Sequence, residues 1–146
     1  MSYHSLPYAL LSLDILNSID DSIKKSFKGL FNTLNEIIKD GMFGPFDDWS
    51  VQENNCVLLI NDITKKCQTK TAMKGALDVW EIVNITIERN IENLKGASTV
   101  SLPAGDLYIP KITPALYLVQ KLSKPFEKLR IKYKKKRMKE GRWWWE

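Results

Sequence analysis

The amino-acid sequence predicts a mainly α-helical protein: a compact bundle of three to four amphipathic helices with one small β-hairpin and a basic C-terminal helix or tail. Apolar residues recur every three or four positions over long stretches, which is the period of one face of an α-helix. Glycine, proline and polar clusters separate these stretches. A chain of 146 residues, 44% of them hydrophobic, is long enough to bury a core without disulfides or metals.

The first helix is predicted from about Pro7 to Asp40. Its apolar residues advance by three or four positions and form one stripe, made of Leu16, Ile19, Ile23, Phe27, Leu30, Leu34 and Ile37. Before Leu16 the apolar pattern is denser, so that end is either buried on more sides or a separate short helix. Gly41 is expected to close the helix in the left-handed conformation.

A loop follows, because two glycines and a proline interrupt the periodicity in "GMFGPFDDW". Its three aromatic side chains, Phe43, Phe46 and Trp49, are expected to pack under the bundle, since aromatic residues beside a helix end usually cover it.

The second helix is predicted to start at Ser50. "SVQE" matches a capping box, in which the Ser50 hydroxyl and the Glu53 carboxylate each accept a hydrogen bond from a free backbone N–H. Asp47 and Asp48 lie just before it, where negative charge suits a helix N-terminus. The apolar run "CVLLI" is also compatible with a buried strand, and the cap favours a helix. The stripe of this helix is Cys56, Leu59, Ile60, Ile63 and Cys67.

The third helix is predicted from Thr71, as N-cap, to about Gly96. It has the longest regular apolar stripe of the chain, formed by Met73, Ala76, Leu77, Trp80, Val83, Ile87, Ile91 and Leu94.

A small hairpin is predicted near residues 98–110, because "STVSLPAGDLYIP" contains loosely alternating residues around the turn sequence "PAGD". A fourth helix should then begin with Thr113 as N-cap and Pro114 at the first helical position.

Pro125 disfavours helical geometry at Lys124, so a hinge is predicted there. The chain would then divide into a helical core domain, residues 1–123, and a basic segment ending in tryptophans, residues 124–146. Trimming the chain after Lys124 is expected to leave the core folded.

No catalytic residue, metal ligand or cofactor is predicted, and the chain is interpreted as non-enzymatic. His4 is the only histidine, which excludes a two-histidine metal site. The glycines form no phosphate-binding loop pattern. Asp20 and Asp21 lie off the apolar stripe of the first helix, which is typical of a solvated face.

The cysteines and the terminus predict an intracellular protein that is neither secreted nor transmembrane. Cys56 and Cys67 are eleven residues apart on one predicted helix, which is about 16 Å. A disulfide needs Cα atoms within about 7 Å, so both thiols should be free. No secretory signal or membrane-spanning apolar run is visible. The predicted location is cytoplasmic, with nuclear import through "KKKR" as an open alternative.

The net charge of +5 conceals an asymmetry. Residues 121–146 hold eleven Lys or Arg and three Glu, a charge of +8, and residues 1–120 hold eleven basic and fourteen acidic residues, a charge of −3. An acidic body with a basic terminus predicts a polyanionic partner.

The basic segment supplies the candidate site. The residues predicted to contact the polyanion are Lys128, Arg130, Lys132, Lys134, Lys135, Lys136, Arg137, Lys139 and Arg142. The aromatic residues predicted to stack on bases or to insert into a surface are Tyr133, Trp143, Trp144 and Trp145. Like charges four residues apart, such as Arg130 and Lys134, disfavour a free helix, so the segment is expected to fray after Tyr133 until it binds.

Nucleic acid is the leading predicted partner. The alternative is a peripheral membrane or matrix-like assembly module that binds an anionic membrane surface, because basic residues attract anionic lipid and tryptophan prefers the headgroup boundary. A second copy of the chain, another protein and a purely solvated tail also remain open. The size and charge pattern would suit a small viral structural or accessory protein. A winged-helix DNA reader is disfavoured, since the third helix is long and its charges are mixed.

Overall fold

The computed structural model describes the backbone of residues 8–98 and 109–142, and the side chains of residues 8–96 and 110–139. Its elements are a short 3₁₀-helix (Leu13–Leu16), α1 (Asp21–Glu36) continued by a π-helical turn (Ile37–Met42), α2 (Ser50–Lys66), α3 (Lys70–Ser98) and α4 (Ile109–Arg142). The predicted helical bundle is confirmed. The predicted hairpin falls on residues 99–108, outside the described ranges, and within those ranges the chain forms no strand.

The polar contacts between helices fix how they run. Hydrogen bonds join α1 to α2 with residue numbers rising on one helix as they fall on the other, at Glu36–Gln52, Thr33–Asn55 and Ser26–Asp62. These two helices are therefore antiparallel. In contrast, α4 runs parallel to α2, because Lys121 lies beside Glu53 and Lys136 beside Gln68.

Aromatic rings from three helices meet at the centre of the core. The ring of Phe126 in α4 stacks on Trp80 in α3 at a centroid distance of 4.4 Å and an interplanar angle of 8°. Phe27 in α1 lies 6.5 Å from Phe126 and contacts Phe31 edge-on at 6.3 Å. All four side chains are at most 2% exposed. Offset or edge contacts of this kind contribute about 0.5–1.5 kcal/mol per pair beyond area burial, so α4 is docked through Phe126.

The prediction of one helix from Pro7 to Asp40 is wrong, since the chain leaves the helix between Leu16 and Asp21. The separate short helix that the denser apolar pattern left open is the 3₁₀-helix. Asp20 caps α1, where its carboxylate accepts a hydrogen bond from the Ser22 N–H at 2.8 Å. A local cap therefore overrides an apolar stripe that continues across the break.

Two asparagine side chains hold the segment that precedes the 3₁₀-helix. The amide of Asn90 accepts a hydrogen bond from the Ala9 N–H at 2.7 Å and donates one to the Ala9 carbonyl at 2.8 Å. Asn35 makes the same pair of contacts with Leu11, at 2.7 and 3.0 Å. Each amide thus pairs with both the N–H and the C=O group of one backbone residue, as a neighbouring strand would.

The left-handed conformation predicted for Gly41 does not occur, and no described residue has a positive φ. Gly41 lies inside the π-helical turn, and a β-carbon there would overlap the indole ring of Trp49. Glycine is required because Trp49 packs directly on the helix backbone. Of the three loop aromatics, Trp49 is buried, Phe43 is half-buried against the core, and Phe46 is exposed, contrary to expectation.

Helix α2 begins at Ser50 as predicted, but the capping box does not form. The carboxylate of Asp48 accepts the hydrogen bond of the Ser50 N–H at 2.9 Å, and the Glu53 carboxylate faces Lys121 of α4 at 3.6 Å. This contact with another helix draws Glu53 away from its own N-terminus. The N-cap of α3 is Thr69 and not Thr71, since the Thr69 hydroxyl accepts a hydrogen bond from Ala72 N–H at 3.1 Å.

Neither proline of α4 marks an end or a break. The helix starts at Ile109, so Thr113 is not its N-cap, and it continues through both Pro114 and Pro125. The hinge predicted at Lys124 is therefore absent. A proline removes one helical hydrogen bond. However, the helix face that includes Ala115, Leu118, Leu122 and Phe126 is buried in the core, and tertiary packing supplies most of a helix's stability. The division into residues 1–123 and 124–146 stays a prediction, with a helix continuous across it.

The first turn of α4 is held by a buried ammonium group. Lys111 is 8% exposed, and its Nζ donates hydrogen bonds to the carbonyls of Gly41 at 2.7 Å, Gly44 at 2.7 Å and Phe46 at 2.8 Å. Asp47 lies 4.0 Å away. Each of the three N–H donors of the ammonium group therefore has a backbone carbonyl as acceptor, so carbonyl oxygens take the place of water around the charge. The contact ties α4 to the loop between α1 and α2.

Replacing Lys111 with methionine should lower the free energy of unfolding by about 2–4 kcal/mol, because three inward-facing carbonyls would lose their donor. The measurement is urea unfolding followed by circular dichroism. Lys39→Met is the matched control, since Lys39 is exposed in the adjacent turn and its loss should cost at most about 0.5 kcal/mol. Equal stability of the two variants would show that the ammonium contributes nothing.

Cys56 and Cys67 are free and buried, as predicted. Burial raises the pKa of Cys56 to about 12 and that of Cys67 to about 11, with Glu53 and Asp20 adding to the respective shifts.

At about pH 8 both thiols should therefore react with a disulfide reagent at least about 100-fold faster in guanidinium than in native buffer. The thiols of the unfolded chain ionise near pH 8.5. Their contribution to the free energy of unfolding is therefore complete below that pH. It decreases as the pH rises further, because the unfolded chain then ionises while the folded chain does not. Rapid native labelling would contradict the burial.

Candidate polyanion-binding surface

The second half of α4 changes from a core helix into a charged one. Leu122, Phe126 and Leu129 are at most 3% exposed, and Tyr133 packs half-buried against the core. Beyond Tyr133, every side chain described through residue 139 is exposed. The helix continues to Arg142 and does not end after Tyr133 as expected for the free segment. The exposed part therefore continues the same helix whose first part is packed in the bundle.

The predicted phosphate-contact residues are exposed wherever their side chains are described, namely at Lys128, Arg130, Lys132, Lys134, Lys135, Lys136, Arg137 and Lys139. Within the described ranges, none of these eight forms an ion pair with an acidic side chain. One of them, Lys136, donates a hydrogen bond to the Gln68 carbonyl at 3.2 Å. The side chain of Arg142 lies outside the described part of the chain.

Several lysines on the other helices form ion pairs. Lys24 pairs with Asp21 at 3.1 Å, Lys66 with Asp62 at 3.0 Å, and Lys74 with Asp78 at 2.9 Å. Three carboxylates of the body are thus engaged by lysines on their own helices. The positive charge of α4 remains available to an external anion.

Five of the nine basic residues from Lys124 to Lys139 lie on one side of α4. Residues spaced by three, four or seven positions share a helix face, and at 3.6 residues per turn five lysines fall within an arc of about 80°. We call this set the basic flank: Lys124, Lys128, Lys132, Lys135 and Lys139. Of the four remaining cations, Arg130, Lys134 and Arg137 lie on the other side, where Arg137 is close enough to Lys74 of α3 to repel it. The fourth, Lys136, lies between the basic flank and the core face of the helix.

The basic flank borders a groove between α2 and α4 with a volume of about 340 Å³. We call it the lysine groove. Its lining residues are Asn61, Thr64 and Lys65 from α2, and Lys124, Pro125, Lys128, Leu129 and Lys132 from α4. None of these residues carries a carboxylate. The nearby Asp62 accepts hydrogen bonds from Ser26 and Lys66, which hold its pKa below the ordinary value.

Tyr133 lies away from the lysine groove. Its side chain lines a second groove of about 480 Å³ between α4, α3 and the segment before α1. This groove carries both signs of charge, with Lys70, Lys74 and Asp78 from α3 and Asp20 from the segment before α1. Its mixed charge favours no particular ion. The other predicted stacking residues, Trp143, Trp144 and Trp145, lie outside the described residues, so their predicted role stays a prediction.

Two apolar side chains interrupt the charged surface of α4. Ile131 is 55% exposed and Met138 is 72% exposed. They are seven residues apart and therefore share one face of the helix, between the basic flank and Lys134. Exposed apolar residues beside lysines are typical of helices that lie on a membrane surface.

Sequence reasoning missed two residues of this surface. Lys124 carries a signal, since it lies four positions before Lys128 on the same helix. The sequence contains no signal for Lys65, because only the parallel packing of α2 against α4 brings this residue beside Lys128 and Lys132.

Within the described ranges, no group of three or more His, Cys, Asp or Glu side chains is placed to hold a metal ion. A search over the same residues finds no helix with the length and apolar character needed to cross a membrane.

Comparisons of the chain with protein-family models, with curated proteins and with solved structures found no match.

Truncation after Lys124 should unfold or severely destabilise the protein, contrary to the expectation from sequence, because it removes Phe126 and Leu129 from the core. Losing two such side chains costs at least about 5 kcal/mol, which is comparable to the total stability of a small domain. Truncation after Tyr133 is the matched comparison. It keeps the buried residues and should leave the thermal unfolding midpoint nearly unchanged. Equal midpoints for both truncations would show that Phe126 does not dock α4.

Proposed function

We propose that this protein is a non-enzymatic binding protein whose α4 engages a polyanion, and that the polyanion is a nucleic acid. The observation that carries the proposal is the exposure of eight Lys and Arg side chains from Lys128 to Lys139, none paired with an acid of the described chain. The buried half of the same helix fixes their position.

Electrostatics support this proposal. Like charges at i and i+4 along α4, such as Lys128 with Lys132 and Lys135 with Lys139, each cost a few tenths of a kcal/mol. A row of phosphates would remove this repulsion and release condensed counterions. Binding therefore has two favourable contributions that need no specific base contact. The acidic body, at −3 over residues 1–120, would direct the phosphates to α4.

Nucleic acid is favoured over a membrane because the basic flank borders a concave groove. A bilayer surface is flat and would leave the groove lysines without a partner, whereas a phosphodiester backbone can enter it. The observation that favours a membrane is the exposed apolar pair Ile131 and Met138. These residues support an anionic membrane surface as the second candidate.

The test compares the wild type with the variant Lys128→Gln/Lys132→Gln/Lys135→Gln, using fluorescence anisotropy with labelled duplex and single-stranded oligonucleotides. Each lost phosphate contact reduces the slope of log affinity against log salt by about 0.7–0.9, so three losses should weaken binding by about 100-fold or more at about 0.1 M salt. Co-sedimentation with vesicles containing anionic lipid tests the second candidate.

The control variant, Lys25→Gln/Lys28→Gln/Lys39→Gln, removes the same charge from exposed positions on α1 and the π-helical turn. It should weaken binding only slightly. Equal losses in both triple variants would mean that net charge alone drives binding. Sedimentation with anionic vesicles, together with no oligonucleotide binding, would replace the proposed partner with a membrane.

A further inference from the structure

The lysine groove joins two helices that are far apart in sequence. Lys65 is contributed by α2, and Lys124, Lys128 and Lys132 by α4. Residues at four-residue spacing on α4 rise by about 6 Å each, so these three ammonium groups form a row along one wall. Lys65 faces that row from the opposite wall, at the C-terminal end of α2. An anion in the groove would therefore be contacted from both sides.

The chemistry of the groove selects phosphate. Four ammonium groups lie beside the polar side chains of Asn61 and Thr64, and no carboxylate lines the groove. Like charges this close repel one another, and a polyanion is the ligand that removes the repulsion. A row of cations on a concave wall matches a row of anions on a ridge, which is the form of a sugar–phosphate backbone.

The groove lacks the feature that a single strand needs. Proteins that bind single strands stack the exposed bases on aromatic rings, and none of the residues lining the groove is aromatic. The bases of a duplex are already stacked on one another and need no such partner. Contacts restricted to the backbone fix a protein on a duplex without reading its sequence.

We infer that the lysine groove holds one backbone strand of a nucleic-acid duplex, with Lys65 of α2 contacting phosphate opposite Lys124, Lys128 and Lys132. This inference rests on the proposed function and extends it to a second helix and to duplex as the substrate class. It makes the bundle itself part of the binding site, in addition to the basic segment.

The experiment measures anisotropy of the full chain with a short labelled duplex, and with one of its strands alone, at several salt concentrations. Lys65→Gln should reduce the slope of log affinity against log salt by about 0.9 on duplex and weaken binding about eightfold at about 0.1 M salt. Lys65→Arg, which retains the charge, should bind as the wild type does. Lys65 is exposed, and circular dichroism of both variants verifies that the fold is kept.

Lys39→Gln is the matched control. It removes one exposed charge near the other end of α2, which is about 26 Å long over its 17 residues, and it should change affinity less than twofold. If Lys65→Gln behaves like this control while Lys128→Gln/Lys132→Gln/Lys135→Gln still loses binding, Lys65 of α2 does not contact the phosphate backbone, so the inference is wrong while the proposed function stands. If Lys65→Gln weakens single-strand binding and leaves duplex binding unchanged, the duplex assignment is wrong. If the wild type binds neither oligonucleotide, both the proposed function and this inference are wrong.

Discussion

The hydrogen bonds of the buried Lys111 ammonium set the geometry on which the rest of the structure depends. They join the first turn of α4 to the carbonyls at the end of the π-helical turn and in the loop before α2. Because this joint fixes where α4 starts relative to α2, it also fixes the parallel register of the two helices. Lys121 consequently lies beside Glu53, and Lys65 lies across a groove from Lys128. A charge buried at one end of the bundle, together with the docking of Phe126 in the core, thus positions the charges that meet at the other end.

Periodicity made the helices predictable from the sequence, and tertiary contacts explain where the prediction went wrong. The stripes of α2 and α3 correspond to buried side chains, apart from the half-buried Leu59, because a helical repeat is a local property of the sequence. The ends are determined by partners elsewhere in the fold. The Glu53 carboxylate faces Lys121 of α4 instead of capping α2. Gly41 stays in the π-helical turn, with Trp49 packed against it, instead of ending the helix in the left-handed conformation. Pro125 remains inside a helix because Leu122, Phe126 and Leu129 bury the adjacent face of that helix in the core.

The candidate site was predictable to the extent that it is local. Its charge is concentrated in one stretch of sequence, so the exposed lysines of α4 could be named from composition alone. Their distribution around the helix, with five on the flank toward α2, follows from their spacing once the core face is known. The contribution of Lys65 could not be inferred, since no pattern in a single sequence states which helix packs beside which. The predicted boundary between residues 123 and 124 falls inside α4, and the core position of Phe126 beyond it could not be inferred from the charge pattern.

The paired contacts of Asn35 and Asn90 have a consequence for how this fold can diverge. Each amide presents a donor and an acceptor in a fixed relation to one backbone residue, at Leu11 and Ala9 respectively. Aspartate has the same shape but lacks the donor, and glutamine places the same groups one methylene further away. No other genetically encoded side chain reproduces both the chemistry and the reach. Apolar positions in the core can exchange leucine for methionine or isoleucine with little effect, so related sequences should drift at those positions while both asparagines remain.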